Sequence, residues 1–251
     1  EGLTIEYSLT GADGSWITNP LEITRTDAGI TPIYVRVSGK NYDGYVTGTQ
    51  KIEVSQRPIT ITGDGWTADQ AYTGTEYRKD TYNPEEANQE NNRGLVAGQK
   101  VDGITYLLSG TEAGQYTGVF TGDVKILSGE EDVTANYIVT KIPGELHITT
   151  AQIASYVALE TKDTEGTYKG EAYEAKAATV TAIGTGSVEG LTVEYSLTGA
   201  QNGDDWVTDP TTITRTDAGT TTVYVRVSGS NYDGYVTGTQ KIEVSQRPIT
   251  I

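Results

Sequence analysis

"NYDGYVTGTQKIEVSQRPITI" spans residues 41–61, and the same twenty-one letters return at residues 231–251. Within it, "KIEV" puts Ile52 and Val54 on one face of an extended chain and Lys51 and Glu53 on the other, since successive strand side chains point to opposite faces. "PITI" repeats the alternation with Ile59 and Ile61. Between them stands "SQRP", a short, stiff joint, because proline fixes the entry angle and fits the first residue of a strand. The stretch reads strand, joint, strand, and its recurrence sets the organisation of the whole chain.

The same alternation appears on both sides of it. In "LTIEYSL" the residues Leu3, Ile5, Tyr7 and Leu9 share a face; "IYVRV" gives Ile33, Val35 and Val37, and "ELHI" gives Leu146 and Ile148. Turn clusters such as "GADGS", "DAG", "SGKNYDG", "SGTEAG" and "SGEED" separate these runs. Abundant Thr and Val suit a pleated, half-buried surface. No helical period persists over three turns, and "NPEEANQENNRG" from Asn83 reads as a loop. The expected fold class is all-β, as tandem immunoglobulin-like β-sandwich modules in an elongated array.

The repeat extends well beyond the quoted passage. "EGLTIEYSLTGA" at Glu1 returns as "EGLTVEYSLTGA" at Glu189, and Trp16 matches Trp206 after two residues are gained where "DGS" becomes "QNGDD". An insertion there marks a surface loop. A period near 190 residues suits two successive modules of about 100 residues each. Residues 1–56 are then the C-terminal part of a type-A immunoglobulin-like module, 57–150 a type-B sandwich, 151–246 a complete type-A sandwich, and 247–251 the first strand of a following type-B module. The piece matching 151–188 has no counterpart before Glu1, so residues 1–56 are expected to be the least stable part. The opening Glu1-Gly2-Leu3, without an initiating Met or a signal peptide, reads as a mature, trimmed or excerpted chain.

Eighteen Lys and Arg against 34 Asp and Glu give a net charge of −16. That repels nucleic-acid backbones and anionic membranes, so neither is expected as a partner. No apolar run approaches the roughly 18 residues of a membrane helix. Cys and Met are both absent, which leaves no thiol or thioether for an oxidant to attack and suits an extracellular protein.

Chemistry is sparse. The single histidine, His147, alternates away from Leu146 and Ile148 and is expected in solvent. Without Cys or a second His, thiol catalysis, a Ser-His-Asp triad and the common zinc sites are unavailable. No catalytic, cofactor-binding or metal residue is assigned, and the chain is read as no enzyme. Calcium is the one cofactor the loops could hold, through Asp204 and Asp205, through Glu130, Glu131 and Asp132, or through Asp43 and Asp233, none of them at EF-hand spacing. Tyr42, Tyr45, Tyr232 and Trp206 could stack on sugar faces, or serve as ordinary sandwich aromatics.

"GLVAGQKV" at Gly94, "EAGQYTG" at Glu112 and "DVTANYIVTKIPGELHIT" at Asp132 resemble the bacterial MBG modules, whose "VGTYT" turn reads "AGQYT" here. The type-A run "TDAG…YVRVSG.NYDGYVTGTQKIEV" resembles the immunoglobulin-like repeats that accompany them in large Gram-positive surface proteins. The resemblance implies a scaffold in the stalk of a cell-surface adhesin or filament, with adjacent repeats of the same protein as partners. Host glycan or protein is the further partner if the modules themselves bind. Lys–Asn isopeptide crosslinks occur in such stalks. A filament subunit, its partial first module completed by strands from a neighbour, is the third reading.

Overall fold

Every alternating stretch quoted above folds as a strand, but the second copy of "RPIT", at 247–250, does not. A computed structural model describes residues 2–184 and 189–250, so three expected boundaries, at Glu1, Val188 and Ile251, lie outside the described residues. Strands and four short 3-10 turns make up the regular structure, with no α-helix among the described residues. The fold is all-β.

The chain divides into two compact units. The first holds Glu1–Asp64, Asp80–Leu107 and Gly118–Gly144; the second holds Gly65–Lys79, Leu108–Thr117 and Glu145–Ile251. The central segment therefore contributes to both.

In the first unit, Leu3–Ser8, Gly29–Gly39 and Val46–Val54 form an antiparallel three-stranded sheet in that order. Arg57–Gly63 then runs parallel to Tyr137–Ile142 and antiparallel to Tyr82–Pro84. Residues 99–107 pair with Val119–Ser128, with a register shift between Gly122 and Lys125. Ile59, Ile126 and Tyr137 form the core there, and Val101, Val124 and Val139 pack against it. Tyr106 is also buried; its hydroxyl donates to the Asp64 carbonyl at 2.9 Å and accepts the Gly144 amide at 3.0 Å.

In the second unit, Glu145–Thr149 lies between Gln70–Ala71 and Gly114–Thr117. Beyond it, Thr164–Thr167, Val236–Ser245, Gly219–Gly229 and Leu191–Ser196 form a four-stranded sheet in that order, its first pair parallel. Two short pairs accompany it, Val157–Glu160 with Thr179–Ala182 and Tyr173–Glu174 with Thr214–Arg215. Val223, Val225, Ile242 and Val244 from the sheet close on Ala175 and Ile213, with Leu159 and Tyr173 packed beside them.

The two copies of one sequence thus differ in burial. Tyr195, Val223, Val225, Val227, Ile242 and Val244 are buried, whereas their counterparts Tyr7, Val35, Val37, Ile52 and Val54 are only half-buried, and among the expected inward residues Leu3 and Ile5 are exposed. Only Ile33 of that face keeps the burial of its partner Val223. The physical reason is coverage: residues 1–56 contain no equivalents of the strands at 157–182 that close the second copy. Leu9 departs from the alternation for a local reason. The strand ends at Ser8, whose buried hydroxyl accepts the amides of Thr10 and Gly11 and turns the chain, leaving Leu9 in solvent. Residues 247–250, expected as a strand, form none, while the identical "RPIT" at 57–60 does. The latter is flanked by Tyr137–Ile142 and Tyr82–Pro84. No such neighbour stands beside 247–250 among the described residues.

Candidate functional site

Three of the seven candidate carboxylates, those of Asp205, Asp132 and Asp233, accept hydrogen bonds from neighbouring groups. Asp205 accepts the Ser196 hydroxyl at 2.6 Å, the Leu197 and Thr198 amides at 3.2 and 3.1 Å, and the Thr198 hydroxyl at 3.1 Å. Asp132 accepts the Thr134 amide and hydroxyl, and Asp233 accepts the Gln152 side-chain amide at 2.8 Å. Asp43, Glu130, Glu131 and Asp204 stand exposed. Among the described residues no three His, Asp or Glu side chains converge as a metal cluster. His147 is exposed as expected, 3.0 Å from Asp69 through Nδ1.

The hydrogen bond from Ser196, followed by those from Thr198, holds the Asp205 carboxyl below the usual carboxylate range against an opposing effect of burial. A folded-state pKa below the unfolded one stabilises at pH above the ordinary carboxylate range, and that contribution is lost as pH falls through it to the depressed value. The first copy has Ser15 in this place, hydrogen-bonded to Ser8 at 2.6 Å, and lacks the titrating group. Asp205→Asn is therefore expected to destabilise the second unit near neutral pH, with the gap to the parent closing in acid. Thermal melts across that range check it; a gap independent of pH would exclude the carboxylate as its source.

The aromatic candidates separate into two groups. Trp206 and Tyr235 flank Arg226, whose guanidinium carbon lies 4.0 and 5.0 Å from their ring centroids and whose Nε meets Glu194 at 2.8 Å. Trp16, Tyr45, Arg36 and Glu6 repeat this clamp in the first copy. Cation–π contact and an ion pair thus hold these rings to their own sheet. Beside the clamp, Trp206, Tyr224, Arg226 and Tyr235 line an open groove.

The other two tyrosines belong to "NYDG". Tyr232 is only 7% exposed, with the ring of Tyr72 edge-on at 5.3 Å and that of Tyr156 at 6.1 Å, whereas Tyr42 is 72% exposed. Buried Asn231 bridges beside it. Its Oδ1 accepts the Ala113 amide at 2.9 Å, its Nδ2 donates to the Glu112 carboxylate, and its carbonyl accepts the Ala151 amide at 3.1 Å. A second asparagine in the first unit does the same. Asn136 Oδ1 accepts the Ala28 amide at 2.7 Å, and Nδ2 donates to Asp27 at 2.8 Å.

In both places an Asn-Tyr turn meets an acidic-Ala-Gly turn, "TDAG" at 26–29 or "TEAG" at 111–114, from a segment of the other sequence type. The glycines share a backbone, with φ of 129° at Gly29 and 156° at Gly114, a region that favours glycine. That geometry leaves the alanine amide outside any strand ladder, and one asparagine amide group satisfies it and the neighbouring carboxylate together. Sequence reasoning marked these tetrapeptides as turns and missed that they meet. The signal was their occurrence in both module types, which otherwise differ.

No family model matches the chain, and no curated protein matches it. Among solved structures, an endo-fucoidan hydrolase of glycoside hydrolase family 107 aligns over 98% of this chain and 38% of its own, at 14% identity and a TM-score of 0.26. The chain thus spans 38% of that hydrolase's length. Three domains of Drosophila N-cadherin, EC1-3, align over 97% of this chain and 90% of their own, at 8% identity and a TM-score of 0.26. A SusE-like surface-located polysaccharide-binding protein from the Bacteroides thetaiotaomicron heparin utilisation locus covers 98% and 50%, at 10% and 0.22. Superposition at these values carries no functional argument. No helix is long and apolar enough to cross a membrane among the described residues.

Proposed function

We propose that this chain is a structural spacer, part of the extracellular stalk of a bacterial cell-surface adhesin or filament, built from MBG-type and immunoglobulin-like modules in tandem. It presents a binding or enzymatic region carried elsewhere and performs no catalysis itself. The observation that carries this reading is the repeated joint, in which Asn136 and Asn231 bind an alanine amide and a carboxylate in the same way. A spacer needs joints that transmit orientation, and a paired side-chain amide, buried at Asn231 and half-buried at Asn136, resists opening because breaking it strands polar groups at about 1–3 kcal/mol. Acidic charge and near-identical copies suit a stalk that must stay soluble.

Nitrogen-15 relaxation tests it within the second unit. Residues 65–79 and 108–117 are expected to share one rotational correlation time with residues 151–246, and Asn231→Ala to separate them. Two correlation times already present in the parent would sink the spacer reading.

One observation favours a second reading, in which the modules bind glycan: the groove beside Arg226 presents Tyr224 and Tyr235, and the type-A sequence repeats it. A saturable change of tryptophan fluorescence with oligosaccharides, abolished by Tyr235→Ala, would move the function there. The edge of Val46–Val54 that is unpaired among the described residues, whose copy Val236–Ser245 holds Thr164–Thr167, is where a neighbour's strand would add in a filament.

A further inference from the structure

One acidic-Ala-Gly turn meets no Asn-Tyr turn among the described residues. "TDAG" at 216–219 repeats "TDAG" at 26–29 letter for letter. Its shape is also the same. Gly219 has φ of 137° against 129° at Gly29, and Arg215 Nη2 donates to the Ala218 carbonyl at 3.0 Å as Arg25 Nη2 does to that of Ala28 at 2.6 Å. The guanidinium occupies the space a Cβ would need at either glycine. The arginine thus sets the turn whether or not an asparagine sits on it, so the receiving half is formed in advance and binding costs little ordering.

The surroundings of the two turns agree as well. Ala28, Gln56, Arg57 and Pro58 line a cleft that Asn136 and Tyr137 complete. There Gln56 Nε2 donates to the Ala135 carbonyl at 2.9 Å, and Arg57 Nε to that of Gly94 at 2.8 Å. The matching Ala218, Gln246, Arg247 and Pro248 line an open cleft with Tyr168 and Ile249. Ile249 is 90% exposed, and its counterpart Ile59, covered by the central segment, is 1% exposed.

We propose that Ala218, Asp217 and the segment 246–250 form a pre-built docking surface for a module of the kind found at residues 57–150, entered by that module's Ala-Asn-Tyr turn. The asparagine accepts the Ala218 amide and donates to Asp217, and Ile249 enters the core of the incoming module. This rests on the reading of the chain as joined modules, yet it is tested apart from it.

The test extends the full chain by appending a second copy of residues 62–150 after Ile251, and follows amide hydrogen exchange. Ala218 is expected to exchange at least about tenfold more slowly than in the 251-residue chain, approaching Ala28, as pairing of a free amide predicts. Asn→Ala at the added copy of Asn136 is expected to restore fast exchange. Unchanged exchange at Ala218, with protected amides in the added copies of Ile126 and Tyr137, overturns the proposal while leaving the spacer reading standing. If the appended module does not fold, the parent chain still decides: Asn136→Ala must accelerate exchange at Ala28. An unaltered Ala28 rate removes the joint on which both this surface and the spacer reading rest.

Discussion

Ile242→Ala is expected to cost the second unit about 2–5 kcal/mol, while Ile52→Ala, the same change in the same sequence, costs roughly 1 kcal/mol or less. Ile242 has no exposed surface and sits on a strand paired on both sides, to Gly219–Gly229 and to Thr164–Thr167. Among the described residues Ile52 pairs only with Thr31 of Gly29–Gly39, and it is half-buried. Truncation at Ile242 leaves a cavity that the surrounding layers cannot close, whereas at Ile52 solvent already reaches the face. Since a chain of two compact units need not unfold in one step, native-state hydrogen exchange at strand amides in each copy is the suitable measurement. Equal losses at the two positions would mean that coverage by the strands at 157–182 is not what stabilises the second copy.

The other large effect is expected at Gly118. Gly63 and Gly118 form a slot for the Tyr106 ring, and a Cβ on Gly118 would overlap the Tyr106 hydroxyl and the ring carbons beside it. That hydroxyl cannot withdraw without abandoning Asp64 and Gly144, and burial already pushes its pKa up. Gly118→Ala is therefore expected to destabilise the first unit by about 1–3 kcal/mol through overpacking. Tyr106→Phe alone should cost about 1–2 kcal/mol for the two stranded partners. Because removing the hydroxyl frees the ring from Asp64 and Gly144 to yield to the added methyl, the double variant should lose clearly less than the sum of the singles in chemical denaturation. Strict additivity would place the defect somewhere other than the contact between these two residues.

Much of this architecture is legible in the residues. Alternation located the strands at Ile33, Ile52, Ile59 and Leu146, and the indel at "QNGDD" fell in a loop that Asp205 closes. Burial was less legible, because alternation defines a face and says nothing of whether a second layer covers it; Leu3 and Ile5 lie on the expected face and remain exposed. The strand at 247–250 failed for a related reason, since an edge needs a partner and "RPIT" carries no information about one. The aromatic candidates were divided by tertiary context. The ring of Tyr232 is enclosed by Tyr72 and Tyr156, while Tyr42, in identical local sequence, is open. The joints were visible only as recurring turn letters, because a hydrogen bond between residues 118 positions apart leaves no periodic trace.

The Asn231 and Asn136 contacts bear on how such a gene can change. Both sequence types carry the receiving turn and the inserting turn, so on the proposed reading of joined modules each junction uses one chemistry irrespective of which type precedes. Unequal crossing-over between near-identical repeats can then delete or duplicate whole modules, and every new boundary inherits a compatible contact without a compensating substitution. Copy number becomes free to vary among lineages, and natural selection can set the length of the protein by counting modules.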